Sequence, residues 1–250
     1  MARRRATWLL GATVLLCLPA HAQTVDEVIA SHLKARGGVE KIKAIKSTKM
    51  TGKMTVQGME ASITIQGKRP NLHRTDVSVA GTNIVQAFDG TTAWWVNSFA
   101  GVRDPDKMPP EQAAAIRQQA DLDGPLVDYK EKGHKVELVG KEEPEGTPVY
   151  KLKVTLKSGD AQHIYLDGKT YLERRRTARR KEAGGNEIEV ETLFSDYKPV
   201  NGIMLAHALD QKTPAQSLQL AFTKIELDVP VEDSAFKMPP KSEEKPASKP

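Results

Sequence analysis

From residue 48 onward the chain alternates. Tyr150, Leu152, Val154 and Leu156 stand against Lys151, Lys153 and Thr155, and Ile188, Val190, Thr192 and Phe194 against Glu187, Glu189 and Glu191. A period of two places the apolar set on one face of a strand and the charged set on the other, which no helix can do. Segments 49–56, 61–68, 72–80, 84–89 and 91–97 carry the same signature, and turn residues divide them at Gly58, Arg69-Pro70, Gly81-Thr82 and Asp89-Gly90. Asp89-Gly90 reads as a two-residue hairpin turn, because type I′ geometry needs positive φ at both central positions. Past residue 134 the alternation resumes, with turns at Pro144-Glu145-Gly146, Ser158-Gly159-Asp160 and Gly184-Gly185. Short connections make successive strands antiparallel neighbours. The expectation is a mainly β (α+β) fold of about 10–11 antiparallel strands, one face covered and the other in water.

Eight strands can close into a barrel filled by its own side chains, whereas more strands leave room inside. Aromatic residues make up 5% of this chain, and Trp94 and Trp95 are the only tryptophans beyond residue 22. Such a chain stocks a wide interior poorly, so the sheet needs plugs, and the sequence offers two. Thr24 with Glu27 forms a capping box ahead of Val25, Val28, Ile29 and Leu33, and Gly37-Gly38 ends that helix. Val39, Ile42 and Ile45 then repeat at every third position. In mid-chain, MPPEQAAAIRQQADLDGP reads as a helix over 110–122: Pro109-Pro110 suit a first turn, Ala113, Ile116 and Ala120 share a narrow face, and Gly124-Pro125 stops it. A helix so weakly anchored is either a plain crossover or a movable cover over what the strands enclose.

Residues 1–22 read as an export signal. Arg3, Arg4 and Arg5 precede a short apolar run, and Ala20-His21-Ala22 gives a small-x-small cleavage pattern. Cys17, preceded by Leu16, leaves with that segment, so the mature chain owes nothing to disulfides. The formal charge of +5 falls to +2 once the three arginines are removed. That near-balance offers no electrostatic case for nucleic acid. Residues 23–238 form one domain, and 239–250 a charged tail with nothing to bury.

The side chains give no catalytic constellation. His32, His73, His134, His163 and His207 sit at no mutual ligand spacing, and no Gly-x-Ser-x-Gly elbow or phosphate loop occurs. No metal, no cofactor and no enzyme activity are expected. Arg174, Arg175 and Arg176 cannot all face water on one strand. They either pair with Glu187, Glu189 and Glu191 across the hairpin, or Arg174 and Arg176 reach a rim where they hold a lipid phosphate or a partner's acid.

The stretches HLKARGGVEKIKAIKSTKMTGKM, DGPLVDYKEKGHKVELVGKE, YKLKVTLKSGD and FSDYKPVNGIM resemble outer-membrane lipoprotein-sorting-protein-like sequences of the lipoprotein-localisation (LolA/LolB-like) superfamily. The resemblance spans roughly residues 24–238. It implies an open, strongly curved half-barrel whose apolar concave face is covered by helices and takes up acyl chains of lipoproteins or lipids. It also implies a periplasmic location, peripheral contact with membranes and an envelope protein partner. Alternation then nominates Ile63, Ile65, Ile84, Phe88, Trp94, Ile116, Tyr150, Leu152, Val154, Ile188, Val190 and Phe194 as lipid-binding residues. A one-residue slip in register would reverse any of these faces. The other reading is an interaction or sensor module on the same shell, with its helices permanently packed.

Overall fold

The computed structural model describes residues 23–181 and 186–241. The expected export signal at 1–22, the expected turn at Gly184-Gly185 and most of the expected tail lie outside the described residues. Thirteen strands form one antiparallel sheet, in the order β6-β5-β4-β3-β2-β1-β13-β12-β11-β10-β9-β8-β7. The first half runs β1 (Ser47–Val56), β2 (Met59–Lys68), β3 (Leu72–Val79), β4 (Thr82–Phe88), β5 (Ala93–Asn97) and β6 (Val102–Lys107). The second runs β7 (Lys135–Glu142), β8 (Val149–Thr155), β9 (Ala161–Asp167), β10 (Glu173–Lys181), β11 (Glu187–Val200), β12 (Ile203–Lys212) and β13 (Ser217–Leu227). Hairpins lead outward from β1 to one edge, and from the other edge back to β13, which pairs with β1 at the centre.

That order gives the mid-chain helix its task. Helix α3 (Pro110–Gln119) leaves edge strand β6, and the chain must then reach edge strand β7 on the far side of the sheet. The helix lies on one face against β3, β4 and β5, burying Ala113, Ile116 and Ala120 on Phe88, Ala93 and Met108. It is a crossover, and it sits where a cover would.

Helices α1 (Val25–Ala35) and α2 (Val39–Ala44) occupy the other half of the same face. The capping box forms as the sequence indicates, with Thr24 accepting from the Glu27 amide and Glu27 from the Thr24 amide. Val28, Ile29 and Leu33 of α1 and Ile42 of α2 pack on Leu152, Val154, Ile164, Leu166 and Ile203 in the largest core cluster. Gly37 ends α1 with φ of 121° where the chain passes the Gly202 carbonyl, a place with no room for a Cβ.

Several expectations need correction. Among the described residues the strands number thirteen, against an expectation of about 10–11. β6 escapes a pattern search because VRDPDK has no apolar alternation, and its proline is tolerable only on an edge strand. Asp89-Gly90 is not a two-residue turn. Asp89 instead accepts from the amides of Thr91 and Thr92, building a four-residue loop around its own side chain. The face away from the helices is not simply wet either. Residues after β13 run back over it, tied by Ser47 to Val229 O (2.6 Å), Lys68 to Val231 O (2.7 Å) and Arg74 to Ala235 O (2.7 Å).

Candidate functional site

Register decides which side chains share the helix-bearing face. Ile65 pairs with Met50 and Thr75, Ile63 with Val77, and Val77 with Ile84. Across the centre, Met54 pairs with Leu220 and Leu220 with Leu209, which pairs with Phe194. These side chains form an apolar strip between the α1 packing and the α3 packing. Ala61, Ile63, Val77, Phe222 and Ile225 are buried, while Met50, Met54, Ile65, Ile84, Leu209 and Leu220 are only partly so. The strip is where the helices stop covering the sheet.

The nominated residues divide accordingly. Ile63, Ile65, Ile84, Phe88, Tyr150, Leu152, Val154, Ile188, Val190 and Phe194 all lie on the helix-bearing face. Ile116 faces them from α3. Tyr150, Leu152 and Val154, however, are sealed in the α1 cluster, and Phe88 is sealed under α3. Ile65, Ile84, Ile188 and Phe194 stay partly open.

Trp94 is misplaced by the alternation argument. It pairs with Ala87 and points to the opposite face, where its Nε1 donates to Phe236 O at 2.7 Å. Trp95, pairing with Gln86, takes the helix-bearing side and packs by α3. A tandem Trp-Trp must send one ring each way, and only the register says which.

The three arginines part company. Arg175 pairs with Glu191 at 2.5 Å, the cross-hairpin contact that the glutamate pattern suggests. Arg174 is exposed and meets Asp167. Arg176 turns to the helix-bearing face and forms a two-pronged pair with Glu173, both contacts 2.8 Å, with its guanidinium 5.5 Å from the centre of the Phe194 ring.

Around that pair lies a polar locus that sequence reasoning missed. The Tyr197 hydroxyl donates to Glu173 O at 2.7 Å. Burial, with Glu173 adding to it, pushes that hydroxyl well above the ordinary tyrosine range, so it remains a donor. His32 Nδ1 lies 2.8 Å from Tyr171 O, an acceptor only, so Nδ1 carries the proton. Burial lowers the His32 pKa and favours the neutral ring. Arg36, at the end of α1, comes within electrostatic reach of Glu173, Tyr197, Arg176 and Asp123. No spacing could have announced this group, because Arg36 and Glu173 stand 137 positions apart.

A second missed contact fixes the exit of α3. Arg69 donates to both oxygens of Asp123, one at 2.9 Å, and also to the carbonyls of Ile45 (2.6 Å) and Ile42 (3.2 Å). Gly67 lets Leu122 approach β2: a Cβ there would stand 2.6 Å from Leu122 Cδ2. Among the described residues no group of three His, Cys, Asp or Glu side chains is placed to hold a metal ion. None of their helices is long and apolar enough to cross a membrane.

No family model and no curated protein matches the sequence. Solved structures do. A DUF1329 family protein from Desulfovibrio piger superposes with a TM-score of 0.58 at 13% identity, over 86% of this chain and 98% of that one. A LolA superfamily protein from Nitrosomonas europaea gives 0.57 at 10% identity, over 86% and 98%. An outer-membrane lipoprotein-sorting protein domain from Vibrio parahaemolyticus gives 0.57 at 13%, over 84% and 94%. At such identities the likeness is one of fold, and the fold is the LolA-like half-barrel.

Proposed function

Taking the LolA-like half-barrel as premise, we propose that this chain is an exported envelope protein that shields an acyl chain of a lipid or lipoprotein on its helix-bearing face, as a carrier or chaperone of the lipoprotein-sorting type. The observation that carries the reading is the uncovered apolar strip from Ile84 and Ile65 through Met50 and Met54 to Leu220 and Leu209. Each Å² of apolar surface withdrawn from water there contributes about 25 cal/mol, so a chain burying a few hundred Å² gains several kcal/mol. Methionines suit that role, since their unbranched, polarizable side chains adapt to ligands of varied shape. Helix α3, packed through two alanines and one isoleucine on Phe88, Ala93 and Met108 and clamped past its end by Arg69 and Asp123, is the element whose displacement lengthens the strip. The reading contains no chemical step. The α1 half, with Val28, Ile29 and Leu33 buried on Leu152, Val154, Ile164 and Leu166, serves as the fixed wall.

The test is native mass spectrometry with lipid extraction on the mature protein from an envelope fraction, compared with Leu209→Asp. A co-purifying lipid or acylated peptide that the substitution removes supports shielding. A ligand-free protein that also ignores added acyl probes overturns it and leaves an envelope interaction module with permanently packed helices.

A further inference from the structure

We infer that the ligand of the helix-bearing face carries one negative charge at its head, and that Arg36, with Arg176 beside it, receives that charge. The preferred cargo is then an anionic lipid, not the uncharged acylated terminus of a lipoprotein. The inference rests on the acyl-binding reading above and specifies its ligand.

The polar locus does not balance. Glu173 gives both its oxygens to Arg176, and Asp123 gives both of its own to Arg69. Arg36 stands between these pairs with neither carboxylate in contact. Among the described residues its only side-chain hydrogen bond runs from Nη1 to Asp123 O, and it is long at 3.5 Å. A guanidinium has five N–H donors and no way to discard its charge. The neighbours do not compensate: His32 already uses its Nδ1 proton on Tyr171 O, and Tyr197 stays protonated and gives its hydrogen to Glu173 O. Two arginines against one glutamate leave one positive charge over. Burial accordingly works against the charged form of Arg36, with the Glu173 carboxylate opposing it.

A partly buried cation without a counter-ion is costly, because desolvation is not offset by attraction. An incoming monoanion supplies the missing partner, and a carboxylate or a phosphodiester matches the guanidinium fork with two parallel hydrogen bonds. The locus also sits where a headgroup must lie. Arg176 stacks on Phe194, and Phe194 pairs with Leu209 of the apolar strip. Arg176 keeps 31% of its side-chain surface accessible, so the locus can be reached. An acyl chain laid along Leu209, Leu220 and Met54 therefore begins at two guanidinium groups. The triacylated cysteine of a lipoprotein, with its amine acylated and its sulfur in a thioether, brings no anion to that place.

The test uses the mature wild-type protein, Arg36→Gln and Arg36→Lys, titrated with five probes. They are oleate, methyl oleate, lysophosphatidylglycerol, lysophosphatidylcholine and a tripalmitoyl-cysteinyl peptide, with inorganic phosphate as competitor. Wild type should bind oleate or lysophosphatidylglycerol at least about tenfold more tightly than the methyl ester and the acylated peptide, the scale of one charge-assisted hydrogen bond. Arg36→Gln should erase that preference, weakening the anionic probes at least about tenfold more than methyl oleate, and Arg36→Lys should restore part of it. Which anion wins separates a fatty acid from a phospholipid, and displacement by inorganic phosphate alone, without chain-length dependence, reassigns the locus to free phosphate and overturns the lipid assignment. Equal affinity for charged and uncharged probes, or an equal loss of both in Arg36→Gln, overturns this inference alone. A protein that binds no probe overturns the acyl-binding reading beneath it.

Discussion

Asp123→Asn tests what holds α3 in place. The carboxylate is only 11% exposed at its side chain, and Arg69, which grips both of its oxygens, is 29% exposed. Removing one partner of a fully buried pair costs about 3–5 kcal/mol, while an exposed pair contributes at most about 1. The partial exposure of Arg69 places this pair between them, at about 2–3 kcal/mol. For a chain of this size 1 kcal/mol moves Tm by about 2–4 °C, so a drop of about 5–10 °C is expected in a thermal melt. Hydrogen exchange should rise in residues 110–127 before it rises in β8 or β9, because the clamp joins the exit of α3 to the carbonyls of Ile42 and Ile45. In a double-mutant cycle with Arg69→Gln, the coupling should reach about 1.5 kcal/mol or more. The pH dependence has a definite sign. Burial is the largest single influence and pushes the Asp123 carboxyl up, but the hydrogen bonds to Arg69 together with the positive charges of Arg69, Lys132 and Lys43 hold it below the ordinary carboxylate range. Its stabilisation is therefore present above the unfolded value of about 3.9 and is lost as pH falls through the folded one. Additive costs in the cycle, or exchange that rises uniformly over the sheet, would refute the clamp.

Three further outcomes follow from the same contacts. Ile116→Asp places a carboxylate against Phe88, Ala93 and Met108; it should free α3, read as rapid exchange over 110–120, while far-UV circular dichroism keeps its β signature. Trp94→Phe deletes the buried donor to Phe236 O, and should cost about 1–3 kcal/mol in urea unfolding and expose residues after 228 to protease. His73 has its pKa lowered by burial from 6.5 to about 4. The folded state then resists protonation, so stability should fall by about 3 kcal/mol as pH drops from 6.5 to 4, and His73→Gln should flatten that slope in urea melts taken across the range.

Much of the fold is local and was legible. The capping box at Thr24 and Glu27, the two-residue alternation of β8 and β11, and Pro110 opening α3 are each decided by neighbours within a few positions. The candidate site was legible in part for the same reason: alternation put Ile63, Ile65, Ile84 and Phe194 on one face, but it could not say which of them a helix would seal. Trp94 went to the wrong side because a tandem pair carries no sign of its own. β6 has no apolar pattern of its own and joins the sheet by pairing with β5, so nothing local announces it.

Local patterning is enough to specify many antiparallel strands and too few large side chains to fill what they enclose. Packing in three dimensions sets the crossing between the two sheet edges through α3 and the meeting of β1 with β13 at the centre. It alone brought Arg36, Glu173, Arg176 and Tyr197 to one locus. Range separates the two. Periodicity and capping act through bonds a few residues long, whereas strand order and the meeting of charges from α1, β10 and β11 arise only when distant segments share one buried surface.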